Sequence, residues 1–524
     1  MMRTFAEKAI ERSIFFALLV HVIALFTMAG LLLPGVPGPG LGTVDLRAAY
    51  IATHPWQWHL GWLPWHLCAL SDLAISLALL QLRWIPKALS VATMLLTLAA
   101  VALEQYFETL WDVWGPHVAA TGGIAYLRFE SRVSIPVSVI AAILYAVMAA
   151  GWSLCLSRYS TWTKWLTWLS VVTWPLLLIA PACQLLPLAY RPSTALTDLG
   201  NQIGFLLMTL WFFLALEAVL RLTRPTEPYG RMAAWRSARS GLTGRLLDLL
   251  ANSRALSYAL EFLPTVTLQS DTRDVVYLNY LADADRLQTL LPPTLQIQRL
   301  GPQGELALFS ALTYRHGHFG PKRLGLRKLM PSPLQSNWRL YVTDTATGTT
   351  GVYFVSTCLS STPIALLARV ASEGVPMHVP QEMRLDNEAD GSYRIVIDPS
   401  AGSAPDLQAD LVHTSDPVLS GGWERCFGSF DGLLKYCVPQ EQALSVSPGY
   451  GCTVMQKIRL VAPLSSVRPL AGQVRSSVLR QMLGEAEPVC FVIPEVEFHY
   501  DGAVAIHNSP SNDSATIAIV CDCK

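Results

Sequence analysis

Six stretches of about 20 apolar residues fall within the first 222 positions, and that length is what a helix needs to cross the hydrocarbon layer of a bilayer. They are Ile14–Pro34, Leu60–Leu82, Pro86–Gln105, Val133–Leu156, Trp165–Leu185 and Ile203–Leu222. The first is too long for a removed signal peptide and lacks a small-residue cleavage pattern. Charge follows the same division. Of the 76 charged side chains, 22 precede position 223 and 54 follow it, whereas 13 of the 16 Trp precede it. The chain therefore reads as a six-helix transmembrane domain (1–222), a basic amphipathic juxtamembrane linker (223–254) and a soluble domain (255–524).

Short-loop Lys and Arg give the orientation. Arg3, Lys8 and Arg12, then Arg83 and Lys87, then Arg158 and Lys164, and finally the arginines from Arg221 onward lie on one side. The opposite loops carry Arg47, then Arg128 and Arg132, then Arg191. The alternation places both termini in the cytoplasm of a bacterial-type inner membrane. The ten Cys then face a reducing compartment, where disulfides do not persist. Cys521 and Cys523 alone do not make a zinc site. Formal net charge is zero, so there is no basic field for nucleic acid.

Polar side chains inside spans mark function by default. His59 and His66 are seven apart on the second span and share a face, with Asp72 deeper along it. Glu104 and Glu108, four apart, share a face of the third. These residues suit a proton path or a small transporter. The alternative is an aromatic interfacial belt around His59, Trp62 and Trp65, with Asp72 and Glu104 satisfying each other.

The linker holds Arg224, Arg231, Arg236, Arg239, Arg245 and Arg254 against Glu227 and Asp248, followed by leucines in helical rhythm from Leu242 to Leu250. It reads as a basic helix on an anionic lipid surface, through Arg231, Arg236 and Arg239. A second basic segment, Tyr314 to Lys328, carries Lys322, Arg323 and Arg327 among glycines and extends the same expectation.

From Ala255 the pattern becomes strand-like. Candidate strands are Asp274–Leu281, Thr294–Arg299, Glu305–Arg315, Trp338–Thr343, Gly351–Cys358, Glu382–Asp386, Tyr393–Asp398, Gly432–Val438, Thr453–Val461 and Val489–His499. Helices are expected at Asp283–Leu291, Pro363–Ser372 and Ser476–Leu483. So many short strands with few helices predict a mainly antiparallel β-barrel.

Several runs here are similar to a known family. Asp274-Val-Val-Tyr-Leu-Asn-Tyr-Leu281, then Leu290-Leu-Pro-Pro293, Asn337-Trp-Arg-Leu-Tyr-Val342, Gly351-Val-Tyr-Phe354, Gly374-Val-Pro376 and Glu424-Arg425 resemble, in order, the YqjF-like family of the acetoacetate decarboxylase-like superfamily. The resemblance covers most of 265–470 and implies a β-barrel with a central cavity. In the decarboxylase a lysine after the Gly-x-Pro turn forms a Schiff base, its pKa lowered by a neighbouring cation, an example the general chemistry of activated lysines includes. Met377 and His378 stand at that place here, so no amine is available for imine chemistry.

The expected function is therefore non-covalent binding of a small, anionic organic ligand. Its candidate residues are Arg339, able to pair a carboxylate bidentately, with Tyr277, His378 and Glu424. Glu424 or Glu382 is the alternative, structural partner of Arg339. An acid/base enzyme on a keto acid or lactone, using His378 or Glu424, is a second reading. No phosphate loop, nucleophile elbow or zinc-protease motif occurs, and no cofactor or metal is expected.

Overall fold

The computed structural model describes residues 5–36, 42–223, 234–262, 266–322, 327, 329–371, 375–415, 417–447 and 452–506. Arg224, Arg231, Arg323, Lys328, Gly374, Cys521 and Cys523 lie outside the described residues. The chain forms two compact units, Met1–Pro225 and Thr226–Lys524.

The first unit is helical. Helix α1 (Phe5–Thr27) runs into a π-turn at Met28–Leu32; α2 (Val44–Thr53), α3 (Pro55–Gln81), α4 (Lys87–Ala119) and α5 (Gly123–Ile135) follow. A second π-turn at Pro136–Ala141 joins α5 to α6 (Ala142–Leu156), and α7 (Lys164–Ala182) and α8 (Thr194–Thr223) complete the unit. Pro136 cannot donate the bond that a regular helix needs there, which explains the local widening. Six helical segments are long and apolar enough to cross a membrane: Phe5–Leu32, Pro55–Gln81, Lys87–Ala119, Gly123–Leu156, Lys164–Leu185 and Leu196–Thr223. Most outrun the apolar stretches that announced them. Helix α4 continues to Ala119 past Gln105, because Glu108 and Asp112 find partners there instead of ending the helix. Helix α2, not expected from hydropathy, is held to α5 by a buried pair: Arg47 Nη1 and Nη2 donate to the two oxygens of Glu130 at 2.5 and 2.9 Å.

The second unit begins with α9 (Gly241–Ala251) and α10 (Arg254–Leu260). Its strands are β1 (Leu268–Asp283), β2 (Leu295–Ile297), β3 (Leu306–Arg315), β4 (Gly320–Pro321), β5 (Leu334–Asp344), β6 (Thr350–Leu359), β7 (Met377–His378), β8 (Glu382–Asn387), β9 (Tyr393–Asp398) and β10 (Leu407–His413), then β11 (Gln442–Ser447), β12 (Cys452–Val461), β13 (Arg468–Arg475) and β14 (Val489–Ile506). The helices among them are α11 (Ala284–Gln288), α12 (Thr362–Ala371), α13 (Gly422–Phe427), α14 (Phe430–Cys437) and α15 (Ser477–Leu483). Seven strands close a barrel in the order β1-β3-β5-β6-β11-β12-β14, with β14 returning to β1. Every pairing in the ring is antiparallel except β6 with β11, joined at Val352 and Ala443. An arm, β13-β10-β9-β8, leaves the free edge of β14 through Leu470 and Cys490.

Side-chain alternation divides the barrel wall between two cores. Val276, Leu278, Phe309, Trp338, Leu340 and Val492 pack with the arm residues Leu385, Ile395 and Leu411. On the other face Tyr277, Leu312, Tyr341, Val352 and Phe491 pack with Leu433, Leu434 and Cys437 of α14.

One expectation is corrected here. Gly432–Val438 is not a strand: Ser429 caps α14 by accepting from Gly432 N–H at 3.1 Å, and the leucines then fall on one helix face. Glu424 and Arg425 lie on α13. Gly421 and Gly428, at φ of 60° and 69°, bracket α13 with backbone that only glycine adopts readily.

Candidate functional site

The most concentrated chemistry lies between α3 and α4. The two helices are antiparallel, so side chains at matching heights meet. His59 Nδ1 lies 2.6 Å from Asp112 Oδ1. The other oxygen of Asp112 is 3.8 Å from His66 Nε2, and His66 Nδ1 is 3.1 Å from Glu108 Oε2 and 3.2 Å from Gln105 Oε1. One turn further along, Tyr145 of α6 donates to Glu104 Oε2. Asp72 follows, buried, with Oδ1 unpartnered among the described residues. Below it Ser76 Oγ meets Thr97 Oγ1 at 2.6 Å and accepts from Trp152 Nε1 at 2.8 Å. Thr97 donates to the Thr93 carbonyl and Thr93 to that of Leu89.

These groups form one seam. Ser90, Thr93, Thr97, Glu104, Glu108 and Asp112 recur at three-, four- and seven-residue steps, the spacing of one helix face. From Ser90 to Asp112 the seam spans about 33 Å at 1.5 Å per residue, close to the hydrocarbon thickness. Ser90, Thr93, Thr97, Ser76, Asp72 and Glu108 are buried, whereas His59 is exposed. The seam is thus open at its His59 end, where His59, Asp112, His66 and Glu108 are in contact; Glu104 and Asp72 lie further along it.

The sequence singled out His59, His66, Asp72 and Glu104, and the structure aligns all four along this seam. It missed Asp112, Gln105, Tyr145 and the Ser76–Thr97 pair. Extending the Glu104–Glu108 step by four more residues reaches Asp112, a signal that was present. Among the described residues no group of three or more His, Cys, Asp or Glu is arranged to hold a metal.

The barrel candidates separate. Arg339 is buried on the face covered by α14. Its Nη2 donates to the Cys437 carbonyl at 2.7 Å and to Tyr341 at 3.3 Å, and its guanidinium sits 5.5 Å from the ring centres of Tyr277 and Tyr341. Tyr277 stacks on Phe491. Burial pushes the Tyr277 phenol up to about 12, with Arg339 opposing. Neither expected partner reaches Arg339: Glu424 is exposed on α13, and Glu382 pairs with Arg384. The cause is helical: α13 turns Glu424 outward, and α14 offers Arg339 a carbonyl instead.

His378 is buried, with Nδ1 2.8 Å from Ser403 Oγ. Burial holds it near its neutral form, at about 3, with the Arg369 cation adding to the effect. It acts as a post for the segment before α9. Arg236 N–H donates to Ser403 Oγ at 2.8 Å, and Ser403 N–H to the Arg236 carbonyl at 3.0 Å. Trp235 lies against Met377 and Leu359, and exchanges two 2.8 Å hydrogen bonds with the Asn252 side chain. In the second basic segment, Arg327 pairs with Asp271 at 2.5 Å, and Lys322 is exposed. His316 is buried between Ser270 and Gln335, away from the exposed His318, so the two do not share a site.

A groove of about 830 Å³ opens elsewhere on the barrel unit. Tyr280, Leu470, Leu479, Leu483 and Cys490 line it, together with Arg475, Arg480, Glu485 and Glu487. Tyr280 is 4% exposed, and its hydroxyl has no hydrogen-bond partner among the described residues.

Six membrane-length helices followed by a closed, mainly antiparallel seven-stranded barrel with a lateral arm define the class of this chain. Within the barrel unit, residues 269–412 match the family DUF2071, described as an uncharacterized conserved protein (COG2071). No curated protein matches the chain at a significant level. Among solved structures the chain is similar to the enduracididine biosynthesis enzyme MppR complexed with pyruvate, at TM-score 0.33 and 12% identity over 47% of this chain and 93% of that one. MppR complexed with the condensation product of pyruvate and imidazole 4-carboxaldehyde gives 0.32 and 12%, over 46% and 90%. MppR with HEPES buffer bound gives 0.32 and 12%, over 47% and 90%.

Proposed function

We propose that the helical unit moves protons along the α3–α4 seam, as a proton-linked membrane protein of the bacterial inner membrane with both termini cytoplasmic. The observation that carries this reading is the run of close approaches, His59–Asp112 at 2.6 Å, Asp112–His66 at 3.8 Å and His66–Glu108 at 3.1 Å, leading inward from the exposed end of the seam that also holds buried Asp72. Imidazole and carboxylate groups exchange protons across such contacts, and a carboxylate with an unpartnered oxygen is the receiving group. Beyond it lie the paired hydroxyls of Ser76 and Thr97. The test is the full chain in liposomes holding a pH-sensitive dye under an imposed potential. Asp72→Asn is expected to cut proton flux by about tenfold or more, the scale on which a positioned acid or base acts. Flux equal to that of empty liposomes, or unchanged in Asp72→Asn and Glu108→Gln, rejects the reading.

One further observation favours a second role for the barrel unit, namely binding a small organic molecule. The support is Tyr280, a buried phenol that lines the groove together with Leu470, Leu479, Leu483 and Cys490. A ligand with an apolar body and a hydrogen-bond acceptor suits it; this replaces Arg339, which is engaged by α14, as the anchoring group. Native mass spectrometry of the full chain should show a bound small molecule whose retention falls about tenfold in Tyr280→Phe, the cost of one buried hydrogen bond. Equal retention in both proteins discards the site.

A further inference from the structure

Helix α9 has two unlike faces. Gly244 and Ala251 are buried, Gly244 against the Arg239 backbone and Ala251 in a cluster with Trp235, Leu359, Ala365 and Met377. A Cβ added at Gly244 would lie 2.0 Å from the Arg239 carbonyl, so that face demands small residues. On the other side Leu242, Leu246 and Leu249 stand 74%, 52% and 54% exposed. Their four- and three-residue steps put them on one stripe. Single exposed leucines are ordinary, but a continuous apolar stripe marks a surface that something covers.

The charges around the stripe indicate what covers it. Arg236, Arg239 and Arg245 are exposed, and their guanidinium groups have no partner among the described residues. The acid of this helix, Asp248, is occupied by Ser237 N–H at 2.6 Å. An apolar stripe flanked by unpaired cations fits an anionic phospholipid leaflet, which supplies acyl chains and phosphates at once. A protein partner would need a matching acidic rim as well as an apolar one. The stripe also follows Thr223, the last residue of a membrane-length helix, closely in the chain.

We propose that α9 is an interfacial anchor, laying Leu242, Leu246 and Leu249 into a leaflet of anionic phospholipid while its other face holds the barrel unit. The strap Trp235–Arg236, fixed to Asn252 and Ser403, makes the anchor part of that unit. A ligand or strain that shifts the barrel wall would therefore shift a membrane-seated helix.

The full chain is placed in nanodiscs of phosphatidylcholine, with or without phosphatidylglycerol, carrying the photocrosslinker p-benzoylphenylalanine at Leu246 or at Val418. Val418 is 94% exposed on the barrel unit and serves as the control. Irradiation should yield phospholipid adducts at 246, more in the anionic discs, and none at 418. Arg239→Gln and Arg245→Gln should each lower the yield in anionic discs about fivefold, as expected for one cation near an anionic surface. Adducts at 246 to protein alone, no adduct at 246, or equal yields at 246 and 418 would each overturn the proposal.

Discussion

His378 shows how one residue's surroundings decide its role. It stands where the resemblance places a catalytic amine, yet it is sealed beneath the strap and hydrogen-bonded to Ser403. Burial keeps it at about 3 and keeps His316 at about 4, against an ordinary 6.5. Both folded values lie below the unfolded one, so between roughly pH 4 and 6.5 the unfolded chain binds more protons. Stability is then fully present above 6.5 and falls as pH drops, by about 1.4 kcal/mol per pH unit for each histidine. Denaturant unfolding of the barrel unit in the full chain at pH 7, 6 and 5 should reveal this slope. His378→Gln should remove about half of it, and an unchanged slope would mean that the buried histidines do not govern acid sensitivity. The sequence made His378 a candidate but could not show its burial, which depends on residues 236 and 403 arriving from distant parts of the chain.

At the scale of elements, hydropathy located the six membrane-length helices because about 20 apolar residues leave few other choices. It ended α4 at Gln105 because Glu108 and Asp112 look like solvent-facing residues until α3 is placed beside them. Strands β1, β3, β5, β6 and β9 were legible from alternation. The arm strand β10 and the edge-joining β13 were missed: β10 does alternate, Leu407, Ala409 and Leu411 against Gln408 and Asp410, but over a short span, whereas β13 has consecutive exposed residues from Ala471 to Gln473 and no alternation to read. Helix α14 was mistaken for a strand because Leu433, Leu434, Tyr436 and Val438 are short-range ambiguous, and the Ser429 cap was the missed cue. Arg339 now reads as the fastening of α14. Arg339→Ala should leave the Cys437 carbonyl with only the longer, 3.3 Å bond from the Tyr341 hydroxyl and destabilise the barrel unit by about 2–4 kcal/mol. Hydrogen exchange should then accelerate over 430–437 far more than over β9. Exchange that is uniform, or unchanged, would mean that the leucines alone hold the helix.

For the whole molecule, the charge asymmetry carries a prediction about orientation. If the Lys/Arg bias governs insertion, a fluorescent protein that matures only in the cytoplasm should light up when fused after Lys524. It should stay dark when fused within the 120–122 turn between α4 and α5. The reverse pattern would turn the seam over, putting its His59 end on the cytoplasmic side. The same bias is why the general architecture was readable from composition alone, whereas the Tyr280 groove was not: its walls come from β1, β13, α15 and β14, which are far apart in the chain.

Strand β14 spans 18 residues and is the last described element. It pairs with β1, with β12 and with β13, and Asn279 donates to Val489 across 210 positions of sequence. During synthesis Asn279 of β1 leaves the ribosome 210 residues ahead of Val489, its partner on β14, and waits with that edge bare. Contacts this distant in sequence make closure slow, and a bare edge invites pairing with other chains. A chain released before β14 was made would thus carry an uncapped sheet, the kind of exposed edge that quality-control proteases clear.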